Sequence, residues 1–262
     1  MTRDGLWRLL ARAVTAAPST RYRRRLLDEL FRRDAASFLE VIGPKFNRTP
    51  TLDSVPVDLD PAGRLEFEDL AGLFASSALN HGLIGMTIRQ AAYLFGVARR
   101  LPVRSAIEIG RWRGGTTVVL AAAMARDGKL WSIDVGEKEA RWRAQIPESR
   151  SFDEQTSNFC QRFGLDAVLL AGDSRTIEGD TGEVDLVLID GDHSYEGVRS
   201  DFERFGMRVR RGGAVLLDDA FDEPFFPSHT DTVGRVVRET TSSGAFRLVR
   251  AVDRMAHLER VG

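Results

Sequence analysis

At 262 residues and 43% hydrophobic content, the chain has the material for one α/β domain of ordinary size plus a modest extension. Its net charge of −1 gives no reason to expect nucleic acid as a partner, and its longest apolar run, the eight residues from Val118 to Ala125, is far too short to span a bilayer. The lone cysteine, Cys160, excludes an intrachain disulfide framework and a cysteine-built zinc site, and suits a reducing cytoplasm. It lies in a helical stretch and reads as a small buried hydrophobe. Charges scattered through the apolar part of the N-terminus predict no signal peptide.

Leu6, Leu9, Leu10, Ala13 and Val14 recur at helical spacing, predicting an amphipathic first helix, and a second helical pattern runs from Tyr22 to Val41. Residues 1–33 carry nine arginines against three acids. A solvated face or subunit contact is the favoured reading there, and a basic segment touching a membrane or anionic partner is the other. Pro50, Pro56 and Pro61 punctuate an irregular connection. The expected division is a helical extension over 1–80, serving as a lid or in homo-oligomer formation, and a main domain over 81–262.

After the glycine-rich stretch His81 to Gly85, Met86 to Arg100 reads as a helix ending at Leu101-Pro102. Strands are predicted at Ser105–Ile109, Lys129–Val135, Ala167–Ala171, Val184–Asp190, Ala214–Asp218, Phe246–Val252 and Met255–Val261. Helices are predicted at Thr116–Arg126, within Glu137–Phe163, at Tyr195–Arg210 and at Asp231–Ser243, with a short turn after Ser174. Apolar strands alternating with helices imply an α/β fold, a Rossmann-like, doubly wound, mostly parallel sheet covered on both faces. The gap at Asp253-Arg254 is too short for a parallel crossover, so the seventh strand must run antiparallel. Ligands of such sheets sit beyond the carboxyl ends of the strands.

The first strand leads through Glu108-Ile-Gly110-Arg-Trp-Arg-Gly114-Gly115 into a helix. This spacing is not the Gly-x-Gly-x-x-Gly of a dinucleotide site. The glycines let backbone pass close under a ligand, or simply pack strand on helix, and Glu108 suits a positively charged ligand such as an amino group. Asp134 ends the second strand 24 residues after Gly110, where a carboxylate can accept both hydroxyls of a ribose or cap a helix. Gly172-Asp173-Ser174 ends the third, placing a carboxylate and a hydroxyl where an adenine edge could be read, with capping again the alternative.

Together these residues resemble the cofactor set of the class I S-adenosylmethionine-dependent methyltransferases, as does the antiparallel last strand; the likeness covers roughly residues 83–262. The resemblance implies that Glu108 and Gly110 face the methionine moiety, that Gly114 belongs to the same cofactor-binding set and that Thr116 lies near the cofactor's carboxylate. Asp134 would hold the ribose, and Asp173 with Ser174 the adenine.

The most specific stretch is Val184-Asp-Leu-Val-Leu-Ile-Asp190-Gly-Asp192-His193-Ser-Tyr195-Glu196. Asp190, Asp218 and Asp219 should converge at one sheet edge, where three like charges are costly unless a cation neutralises them. All-oxygen ligands favour Mg²⁺ over other divalent ions. Adjacent strand residues point to opposite faces, so Asp218 and Asp219 can both ligate only if the strand has begun to turn. Helix caps and salt bridges are the structural alternative. His193, beside the acids, is the favoured general base, with His229 the alternative, and Asp190 is assigned to catalysis with it. His229 follows Phe221-Asp-Glu-Pro-Phe-Phe-Pro, a loop suited to wall a ring-shaped acceptor or to form a hydrophobic lid. Glu196 is assigned to the start of the next helix.

This tract resembles the metal-dependent O-methyltransferases, including catechol and caffeoyl-CoA enzymes, and more closely the sugar-modifying methyltransferases of natural-product pathways. An Asp-Asp pair replaces the catechol pattern's Asp-Asn, and His193 stands where a catalytic lysine is found. The resemblance implies a metal-dependent O-methyltransferase acting on a small-molecule hydroxyl, a sugar or vicinal diol, with a catechol or phenol as the alternative. Two other classes compete: a non-catalytic S-adenosylmethionine-binding module, and a metal-dependent oxygenase. Against the oxygenase, a facial triad needs two histidines and a carboxylate, and no histidine pair lies near the acids in sequence.

Overall fold

The apolar runs of the chain's second half become strands of one sheet. The computed structural model describes residues 52, 55, 63–74, 83–136, 151–177, 182–222 and 229–262, all within the unit formed by Thr51–Ala75 and Leu83–Gly262. The predicted N-terminal helices, the consecutive arginines Arg23 to Arg25 and His81 lie outside these residues. The strands are β1 (Ser105–Ile109), β2 (Lys129–Asp134), β3 (Asp166–Ala171), β4 (Val184–Ile189), β5 (Val209–Leu217), β6 (Phe246–Val252) and β7 (Met255–Arg260). The helices are α1 (Ile88–Arg100), α2 (Gly115–Ala123), α3 (Phe152–Arg162), α4 (Tyr195–Arg204) and α5 (Val233–Ser242).

The sheet order is β3-β2-β1-β4-β5-β7-β6, and β7 runs antiparallel to both its neighbours. It is the Rossmann-like sheet that the alternation predicts. Alternate residues of β4 face opposite layers: Leu186 and Leu188 pack with Leu94 of α1 and Leu120 of α2, while Val187 and Ile189 pack with Val198 of α4 and Val236 of α5. Leu65, Leu70 and Leu73, around a 3₁₀ turn at Glu68–Phe74, join the first layer. No helix among the described residues is long and apolar enough to cross a membrane.

Local chemistry sets the helix starts. Reciprocal capping boxes begin α1 (Thr87 with Gln90) and α3 (Ser151 with Glu154), and the Ser194 hydroxyl caps α4. Some boundaries depart from expectation: the helix predicted to Arg126 ends at Ala123, and the largest shifts are at α4 and β5. The helix predicted to Arg210 ends at Arg204, followed by a 3₁₀ turn, and β5 starts at Val209 rather than Ala214. Its pairing with β4 shifts register between Val184 and Leu186, and Gly212 adopts a φ of 77°. A bulge at Arg210 to Gly213 thus interrupts the alternation from which a strand start is read.

The loop from β1 to α2 is a packing device as well as a turn. Gly110 has a φ of 92°, and a Cβ there would overlap the carbonyl oxygen of Asp190 at the end of β4. A side chain at Gly114, φ 82°, would collide with the Thr156 hydroxyl of α3. Gly110→Ala combines a disfavoured φ with a backbone collision, and is expected to destabilise the domain by roughly 2–4 kcal/mol or to prevent soluble folding, as read by thermal melting.

Candidate active site

The carboxyl ends of β1, β2, β4 and β5 carry the predicted residues. Asp134 holds the loop after β1: its Oδ2 accepts from the backbone N–H groups of Arg111 (2.8 Å) and Trp112 (2.9 Å), and its Oδ1 from that of Gly136 (2.7 Å). Three of about four acceptor positions of a carboxylate are thereby used. The Arg111 side chain forks onto both oxygens of Asp153 at 2.8 Å and reaches the Ser132 carbonyl at 2.7 Å, tying the same loop to α3 and β2. Gly114, in a left-handed conformation, precedes α2 with no side-chain cap, and Thr116 is buried in the first turn. Such a helix start favours an anionic group such as a carboxylate.

Glu108 is 0% exposed. Its Oε2 accepts from the hydroxyls of Thr117 (2.6 Å) and Ser132 (2.5 Å), while Oε1 is buried with no hydrogen-bond partner. Burial pushes this carboxyl up to about 7, against the opposing effects of the two hydroxyls and Arg111. An orphaned buried acceptor is matched to a donor such as an ammonium group. Asp173 pairs with Arg175 at 2.7 Å, which holds it down at about 2. The Ser174 hydroxyl donates to Asp201, a carboxyl 1% exposed that burial pushes up to about 6. Asp173 and Ser174 are therefore engaged with their own surroundings at the edge predicted for adenine.

The acid cluster forms because neighbouring strands end together. The Asp190 N–H donates to the Ile109 carbonyl, and the Asp218 N–H to that of Ile189. Asp219, with φ 58°, has already left the strand. Its Oδ1 pairs with Arg254, and its Oδ2 lies 3.5 Å from Nε2 of His193. The same Nε2 lies 3.4 Å from Oδ1 of Asp190 and is buried without a hydrogen-bond partner. His193 stacks on His229, ring centroids 4.6 Å apart and planes 21° off parallel. Ligand atoms of His193, Asp219 and His229 all fall within 4.8 Å of one another.

Of the acids predicted to share a cation, Asp190 and Asp219 flank His193, whereas Asp218, 3% exposed, turns inward and accepts from the Gln90 amide of α1. Burial, then Asp190 and Asp219, push Asp218 up to about 7. Burial works to lower the pKa of His193, but Asp190, Asp219 and Asp218 outweigh it and raise it. The donors of His193, Asp219 and His229 are a set that would fit a divalent cation.

The fold also delivers residues that spacing does not reveal. His229 lies 36 positions beyond His193, in a loop read as a wall or a lid and as the source of an alternative base, and the fold brings this second histidine, far from the acids in sequence, onto His193. Arg254 was within reach of topology, since β7 pairs antiparallel with β5 and the turn before it must fall at the end of β5. Gln90 carried only a capping signal.

This sheet order, with its antiparallel seventh strand, is the fold of the class I S-adenosylmethionine-dependent methyltransferases. Residues 107–220, which run from within β1 to just past the end of β5 and include the acids described, match a family model described as a methyltransferase domain. Among solved structures, the O-methyltransferase TomG from Streptomyces achromogenes, involved in tomaymycin synthesis and crystallised with SAM, is 19% identical. The match covers 80% of this chain and 94% of that one, with a TM-score of 0.53. The O-methyltransferase NovP is 20% identical over 69% of this chain and 83% of its own (TM-score 0.53), and an O-methyltransferase from Bacillus cereus, bound to SAH, is 15% identical over 74% and 90% (TM-score 0.51). At these identities the likeness is one of fold. An uncharacterized protein, R132, of Acanthamoeba polyphaga mimivirus is 34% identical over 56 residues, 21% of this chain, and the chain spans only a quarter of that relative's length.

Glu108 carries a pH signature of its own. The folded state keeps its proton up to about 7, whereas the unfolded chain releases it near the ordinary value of 4.5, so stability falls as pH rises through that window and stays reduced above it. Glu108→Gln should remove this component, gaining roughly 1–3 kcal/mol relative to the parent at pH 8 compared with pH 4. Parallel melting curves from pH 4 to 8 measure the difference.

Proposed function

We propose that the domain transfers the methyl group of S-adenosylmethionine to a hydroxyl of a small molecule, with a sugar or vicinal diol of a natural-product or glycan pathway as acceptor. The observation that carries this reading is the meeting of Asp190, His193 and Asp219 beyond the ends of β4 and β5, against the loop at Gly110. The O-methyltransferase names of the structural neighbours TomG and NovP support it.

The cofactor would supply an electrophilic sulfonium methyl, and a divalent cation at the acids Lewis-acid polarisation of the hydroxyl. The chain's residues do the rest. The partnerless oxygen of Glu108 would receive the cofactor's amino group, the uncapped start of α2 at Gly114 and Thr116 its carboxylate, and Asp134 the ribose while holding the loop in shape. Asp173 and Ser174 border the adenine. Asp190 and Asp219 would hold the cation, and Asp190 and His193 would stand ready to take the acceptor's proton. Aligning the hydroxyl with the methyl can contribute roughly 7–11 kcal/mol.

Asp190→Ala and Asp219→Ala are each expected to lower turnover by roughly 10²–10⁴-fold while leaving S-adenosylmethionine binding within a few-fold of the parent. Calorimetry with the cofactor, with and without Mg²⁺ and EDTA, combined with methyl transfer screened over vicinal-diol acceptors, tests this. Loss of cofactor binding in both variants would overturn the assignment.

A further inference from the structure

His229 has no part in the chemistry above, yet it lies stacked on His193 at the acid cluster. We propose that His193, Asp219 and His229 together hold a divalent transition ion of the zinc type in preference to Mg²⁺. The inference names the cation class of the same site, and rests on the methyl-transfer reading only for the hydroxyl that the ion would meet.

Three observations carry it. The first is a distance. Nε2 of His193 is buried and unpartnered, 3.5 Å from Oδ2 of Asp219. That is too long for an N–H···O hydrogen bond, which spans about 2.7–3.2 Å. It is close to the edge, about 3.4 Å, of a tetrahedron whose ligands stand about 2.1 Å from a shared centre, the spacing of nitrogen and oxygen around zinc. The second is donor chemistry. Imidazole nitrogen suits zinc, iron and nickel, whereas Mg²⁺ takes oxygen almost alone and keeps several waters. Two imidazoles with one carboxylate are a poor set for Mg²⁺ and a good one for a borderline ion.

The third is the support around the set. Arg254 grips Asp219 through Oδ1, leaving Oδ2 facing the imidazoles, as partners behind a ligating carboxylate do. The near-parallel rings bring nitrogen atoms of both histidines within 4.8 Å of that carboxylate. Residues 36 positions apart have no local reason to meet there. With His193 engaged as a ligand, it no longer serves as base, and Asp190, 3.4 Å away and outside the three-residue set, would take the substrate proton in place of the cation-holding role given to it above.

The test uses the full chain, stripped with a chelator and titrated with Co²⁺, whose visible absorption reports low-coordinate binding, then challenged with Zn²⁺ or Mg²⁺. One strong Co²⁺ site is expected, displaced by stoichiometric Zn²⁺ and untouched by a large excess of Mg²⁺. His229→Gln and Asp219→Asn should each weaken Co²⁺ binding roughly 10-fold or more. Mg²⁺ competing on equal terms, or Co²⁺ affinity unchanged in His229→Gln, would overturn the inference. His229 is only half-buried, so its variant decides the matter even if Asp219→Asn fails to fold. Calorimetry with S-adenosylmethionine on the same samples keeps the two readings apart. Cofactor binding without transition-ion preference sinks the ion alone, and ion binding without cofactor binding sinks methyl transfer alone.

Discussion

The contact between the backbone at Gly110 and the carbonyl of Asp190 sets the geometry of everything above the sheet. The turn leaving β1 lies directly on the end of β4, with no side chain between them. The turn expected to meet the cofactor and the strand end that bears the first acid are in effect one block of backbone. Asp134 grips that block from the side of β2, and the Asp153–Arg111 fork ties it to α3. Two ligands that must react with each other would thus be held against one rigid surface, the condition under which orientation contributes most to rate.

The chemistry of this edge is costly to fold. Glu108, Asp201 and Asp218 are all buried carboxyls pushed well above their ordinary range, chiefly by loss of water. Glu108 and Asp201 each keep one oxygen without a hydrogen-bond partner. Strained or unsatisfied groups concentrated at one end of a sheet, above a well-packed core, are the pattern of a site retained for binding rather than for stability.

Much of this was legible in the sequence because the relevant periods are short. Apolar runs of strand length alternating with helical stretches define the sheet, and the two-residue gap at Asp253-Arg254 alone requires the antiparallel seventh strand. The ends of β1, β2, β4 and β5 could be placed because acids and glycines punctuate them. Side-chain direction was harder to read. Asp218 and Asp219 are adjacent, and although alternation separates their faces, the turn to a positive φ at Asp219 that carries it toward His193 leaves no periodic signal. The meeting of His193 with His229, and of Asp219 with Arg254, depends on loops and strand order far apart in the chain, where no periodicity operates. The β5 start was missed because paired glycines at a bulge look like a turn.

The Arg254–Asp219 pair bears on how charge closes at this edge. Asp190, Asp218 and Asp219 bring three negative charges when fully ionised, and one fixed guanidinium cancels a single one of them. Of the other two, Asp218 is turned inward to the Gln90 amide and pushed up to about 7 by burial and its acidic neighbours, and Asp190 lies beside His193. The two-residue hairpin between the last strands therefore does more than reverse the chain. By lending a permanent cation from outside the strands that bear the acids, it relieves the mutual repulsion of three carboxylates crowded at one strand edge.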